Sequence, residues 1–347
     1  MKEQAIALAA ALTLAVVSTG WALDQVTTTT KENERPLVMG KIVSISPQQV
    51  EIEVQSTGVV RQIPVNEIKS IKFDDEPPAL FPARSFIAEG RYAEAIDKLS
   101  SAESSRPNIA GEIDYLKAYC AAELALSGNG DVAAAGDQML EFAKGHETSY
   151  HYLQACELIG NLLVAKGAYS RAEPYYRKLA EAPWPDYKMR AGVAIGRALL
   201  AQGKAAEASK AFDEAIGGEG AGGLAEAQRM AAKVGKARCL AAANKLDEAI
   251  KSLENIIANA DADDADLHAL AYNALGTTLR QARKPQEALF AFLHVDLLYS
   301  SNGESHAEAL ANLEQLFNEL HKPEHAHRVR QTLNELYKNS RWATGAR

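Results

Sequence analysis

The chain has 347 residues, 47% hydrophobic and 24% charged, with a formal net charge of −8. That composition supplies a buried core and an acidic surface, and it argues against general nucleic-acid binding, which relies on Lys and Arg neutralising phosphates. The three cysteines, Cys120, Cys156 and Cys239, form no CxxC pair and read as buried small residues at helix contacts, with at least one free thiol.

The first element is a leader. Lys2 precedes an uncharged run from Ala5 to Leu23 that ends in Ser18-Thr19-Gly20-Trp21-Ala22. A charged start, an apolar centre and small residues before a cut are the marks of a secretory signal, here residues 1–22, cleaved after Ala22. The expected location is therefore outside the cytoplasm, in a periplasm or cell envelope. The run also has just the length of a bilayer span if it stays uncleaved, and membrane attachment is expected only in that case.

Residues 24–76 carry the pattern of strands. Val50, Ile52 and Val54 alternate with Glu51 and Glu53, and Ser46-Pro47-Gln48-Gln49 and Ser56-Thr57-Gly58 are breaks rich in turn formers. Four or five short strands are predicted, and the turn in Ile63–Ile68 before Lys69-Ser70-Ile71-Lys72-Phe73 resembles the last two strands of a small SH3-like or Sm-like barrel. Asp74-Asp75-Glu76-Pro77-Pro78 ends this module, because two prolines stop a strand and delay a helix.

From Ala79 onward the pattern is helical and repeats. A small residue is followed twelve positions later by alanine at Ala83–Ala95, Gly160–Ala172, Gly196–Ala208, Ala237–Ala249 and Gly276–Ala288, with Leu99, Tyr176, Phe212, Leu253 and Phe292 four residues further on. That spacing suits two antiparallel helices that touch where both are small, the bulky residue sealing the next layer. Including Ala135 and Ala326, the alanines recur every 36 to 41 residues. The pattern resembles the tetratricopeptide repeat (TPR), a helix–turn–helix unit of about 34 residues. The resemblance implies a mainly α fold, a TPR-like α-solenoid of about six to seven helix pairs over 79–340, preceded by the small barrel-like module and followed by a tail at 341–347. The second and last repeats match the pattern worst, as terminal caps often do.

Few residues suggest chemistry. His321-Lys322-Pro323-Glu324-His325 has the inverted zinc-protease order, but Pro323 interrupts the helix that the motif requires. Asp261–Asp266 lacks the glycine and glutamate of a calcium loop and suits a helix cap. No phosphate loop, nucleophile elbow or dinucleotide motif is present. No cofactor, metal or enzymatic activity is expected.

The resemblance implies instead a binding surface, because the first helix of each pair lines the concave face. Its inward positions give Asn161, Arg190, Arg197, Arg238, Asn273 and Arg280. The family's carboxylate clamp is not carried over, since Glu157 stands where its lysine belongs. Four arginines on one face suggest a protein or peptide partner that is acidic or ends in a carboxylate. The competing expectation is that these arginines pair with acidic neighbours between repeats. Self-association in an envelope assembly, or service as an enzyme subunit, are the alternative roles.

Overall fold

The computed structural model describes residues 23–29, 36–220 and 222–345, so the expected leader at 1–22 lies outside the described residues. Five strands come first: β1 (Asp24–Thr28), β2 (Leu37–Ile45), β3 (Gln49–Val54), β4 (Val60–Pro64) and β5 (Ile68–Lys72). They form one antiparallel sheet in the order β4-β3-β2-β1-β5, with a 3-10 turn, Val65–Glu67, between β4 and β5. The period-two pattern puts Val26, Val38, Val50, Ile52, Ile63 and Ile71 on the buried face. A sheet with one apolar face must cover it against another element. Its buried face is continuous with Leu80 and Ala83 of the first helix and with the core of the repeats.

Among the described residues fourteen helices follow in seven pairs: α1 (Leu80–Ala88) with α2 (Tyr92–Leu99), α3 (Pro107–Leu126) with α4 (Val132–Gly145), α5 (Tyr152–Ala165) with α6 (Tyr169–Ala180), and α7 (Pro185–Ala201) with α8 (Ala205–Ile216). Then come α9 (Gly223–Ala242) with α10 (Leu246–Asn259), α11 (Ala265–Gln281) with α12 (Pro285–Leu298), and α13 (Gly303–Glu319) with α14 (Pro323–Tyr337).

All seven pairs turn in the same way. The second residue past the first helix is left-handed at Gly90, Gly128, Gly167, Gly203, Asn244, Arg283 and His321. The next amide then bonds back over five residues, as from Ala168 to Leu163 at 2.8 Å and from Lys322 to Phe317 at 2.8 Å. This is the helix-ending arrangement that glycine favours. His321 is thus fixed in a turn and Pro323 opens α14, so the zinc-protease order has no helical face on which to act. Asp264 caps α11 through the Leu267 amide at 3.0 Å.

The glycines of the repeat motif meet aromatic rings. A methyl group at Gly160 would stand 2.4 Å from the Tyr176 ring, and one at Gly276 would stand 2.7 Å from Phe292. The bulky residue therefore fills the gap beside the small residue of its own pair, a correction to the expectation that it only seals the next layer. Phe212 does both, lying between Gly196 of its own pair and Gly235 of the next. Rings need this room because interiors are close-packed.

The array curls until its second and last pairs meet. The Asn339 amide donates to the Gly128 carbonyl at 3.1 Å, and a Cβ at Gly303 would lie 3.7 Å from that of Ser127. The two repeats that match the pattern worst are therefore not water-facing caps, since they pack on each other. Residues 341–347, expected as a tail, include α15 (Arg341–Thr344), in which Ala343 is buried and Trp342 donates to Glu304 at 3.0 Å.

Candidate binding site in the lumen of the helical array

Three of the four inward arginines are neutralised by acids of other repeats. Arg190 of α7 pairs with Glu157 of α5, its Nε at 3.2 Å from the carboxylate. Arg238 of α9 pairs with Glu308 of α13 at 2.6 Å. Arg280 of α11 donates to Gln315 at 2.8 Å and pairs with Glu319. The convergence of four arginines on one open face is thereby corrected: an acidic residue on the adjoining first helix takes up the charges of Arg190 and Arg280, and one on the first helix two pairs further on takes up that of Arg238.

Arg197 is different. Its side chain is exposed, and among the described residues it makes no hydrogen bond and no ion pair. The surroundings disfavour its charge, first through desolvation by the crowded protein around it and then through repulsion from Arg238. Glu304 and Glu308 act in the opposite sense, but each is engaged elsewhere. An arginine does not lose its proton, so the charge persists without a close partner.

Arg197 lines a cavity of about 620 Å³ inside the curl. Asn161 and Tyr176 share the wall, held to each other by a 2.9 Å hydrogen bond from the tyrosine hydroxyl to Asn161 Oδ1. Further lining comes from α13 and α15, where Arg341 donates to Glu304 at 2.7 Å and 3.0 Å. Of the six inward positions singled out by sequence, Asn161 and Arg197 line this cavity. Arg190, Arg238, Asn273 and Arg280 do not, and Asn273 is fully buried, donating to the Ser305 carbonyl at 2.8 Å.

Sequence reasoning missed Glu123, Glu304 and Arg341 of the lining. They lie in or beside the repeats that fit the pattern worst, so no register pointed inward from them. Arg341-Trp342 in a supposed tail was the available signal, since both side chains gain from burial against a partner.

A second polar cluster joins the sheet to the array. Arg84 donates to Glu76 at 2.7 Å, to Glu112 at 3.1 Å and to the Ile71 carbonyl of β5 at 2.9 Å. The buried Glu112 also accepts from Tyr150 at 2.8 Å and contacts His151 Nε2 at 3.0 Å. Burial alone would raise the Glu112 pKa, but His151, Arg84 and Tyr150 together hold it down to about 2. The three cysteines are buried and free, and burial pushes the Cys120 thiol up to about 12. Among the described residues no group of three or more His, Cys, Asp or Glu could hold a metal ion, and no helix is long and apolar enough to cross a membrane.

Comparison with known proteins agrees with this architecture. The tetratricopeptide repeat family model matches residues 155–186. A tetratricopeptide repeat protein from Parabacteroides merdae ATCC 43184 is 14% identical over 74% of this chain and 91% of its own, with a TM-score of 0.53. The apo form of RapI is 14% identical over 77% of this chain and 96% of its own, with a TM-score of 0.52. At that identity the likeness is one of fold, a TPR-like α-solenoid. Curated protein sequences yield no match.

Proposed function

We propose that this chain is an exported, non-enzymatic binding scaffold that receives an acidic protein or peptide on its inner helical face. Arg197 meets the partner's carboxylate. The contrast among the inward arginines carries this reading: three are paired within the protein and one stands open in a cavity. The planar fork of a guanidinium matches a carboxylate, and an incoming anion would neutralise a charge that the protein leaves without a close partner. Export rests on the leader at residues 1–22. The sheet reads as an SH3-like or Sm-like module, supported by the short 3-10 turn before β5, and its shared core fixes it to the first helix pairs.

Affinity capture from the envelope fraction tests the proposal, with the mature chain and an Arg197→Glu variant as baits. The expected result is a partner retained by the first, released by salt and absent from the second. Equal capture by both baits would overturn it. A second reading, self-association through the outer surface, is supported by the exposed Phe290, Leu297 and Leu298 of α12. Light scattering that shows a dimer lost on Phe290→Ser would favour it.

A further inference from the structure

The lumen holds an acid in a situation opposite to that of Arg197. Glu123 of α3 lines the same cavity one helical turn from Tyr119, and among the described residues no Lys, Arg or His pairs with it. Its pKa is raised, first by desolvation and then by repulsion from Glu157. The other charges on the wall are accounted for. Arg341 and Glu304 neutralise each other, and Asp266 stands in the first turn of α11, where the helix dipole favours a negative charge. Glu123 and Arg197 are not within ion-pair distance of each other, although both line one cavity.

We infer that the lumen is a site for a small zwitterion, a free amino acid or short peptide whose carboxylate meets Arg197 and whose ammonium meets Glu123. The inference rests on the role given to Arg197 under the proposed function and adds the second pole. A volume near 620 Å³ lies in the range of pockets that enclose drug-sized ligands. A ligand with both charges gives each group an opposite partner at once, whereas a purely anionic one leaves the acid bare and adds repulsion.

The test uses the mature full-length chain and a mixed tripeptide library in four forms: both termini free, amino terminus acetylated, carboxyl terminus amidated, and both capped. Bound species are read by native mass spectrometry and their affinities by calorimetry. Free tripeptides should bind, and each cap should weaken them roughly tenfold or more, as expected for loss of a charged contact. In Arg197→Met the amidated and free-acid forms should bind alike, and in Glu123→Gln the acetylated and free-amine forms should bind alike. Circular dichroism of both variants checks that they fold.

Dependence on the carboxylate and Arg197 without dependence on the amine or Glu123 would overturn the zwitterion and leave the proposed function standing. Binding indifferent to both caps, or no binding by any form, would overturn the inference outright. Retention of carboxylate preference in Arg197→Met would remove the proposed function as well.

Discussion

The amide of Asn339 reaches the carbonyl of Gly128 at 3.1 Å, joining residues from the last and second helix pairs. That bond belongs to a seam that sets Ser127 beside Gly303, with Cβ positions 3.7 Å apart. This separation lies in the range that a disulfide requires. Ser127→Cys with Gly303→Cys should therefore cross-link under oxidation and raise stability by about 2–4 kcal/mol. Mobility on a non-reducing gel and a melting curve with and without reductant read the result. Failure to cross-link would mean that the curl is open in solution.

Gly235→Ala should destabilise the fold although alanine is the better helix former. The propensity gain is about 1 kcal/mol. Against it, the new methyl would stand 2.3 Å from the Phe212 ring, and Gly196 on the other side leaves the ring nowhere to retreat. The net cost should be about 1–3 kcal/mol in chemical denaturation. The pairing of these residues would be refuted by a variant as stable as the parent.

Acid should weaken the join between sheet and repeats. Glu112 titrates near 2 in the folded chain and near 4.5 when free, so its contribution is complete above about pH 4.5 and is lost as pH falls toward 2. The shift corresponds to a few kcal/mol. Urea midpoints between pH 6 and pH 3 should fall more steeply for the parent than for Glu112→Gln, which lacks the titrating group. Parallel slopes would count against this account.

Arg197 and Arg238 should respond oppositely to removal of charge. Arg197→Met should leave stability unchanged or improve it slightly, because it relieves desolvation and repulsion from Arg238. Arg238→Met leaves Glu308 without its partner and should cost about 1–3 kcal/mol. A tolerated loss of charge at Arg197 combined with loss of capture is the signature of a residue kept for binding. Denaturation midpoints of the two variants, measured side by side, decide it.

Export predicts a processed chain. Protein isolated from native cells should begin at Leu23 or within a few residues of it, as read by amino-terminal sequencing. Intact Met1 on a membrane-bound protein would support an anchor instead.

The repeat register was legible because it depends on local rules. The rings of Tyr176, Phe212 and Phe292 need a small residue opposite, so Gly160, Gly196 and Gly276 announce their helix pairs, and a left-handed residue favours glycine, so Gly90, Gly167 and Gly203 announce the turns. The inward arginines were legible by position but not by state. Whether Arg190 or Arg238 is free depends on Glu157 and Glu308, which lie 33 and 70 residues away along the chain. The seam was illegible for a related reason: Gly128 and Asn339 interact through the backbone, which leaves no trace in side-chain pattern.

An open solenoid can be lengthened at will, since each unit answers only to its neighbours. This one cannot. With the turn after α3 seated against the end of α14, pairs two to seven make a circuit whose circumference is set, much as strand number sets the girth of a closed barrel. Deleting or duplicating one internal pair would leave the contacts within the remaining pairs intact and still part the two surfaces that must meet. Natural variation in this architecture should therefore fall in loops and side chains, and the count of helix pairs should stay fixed.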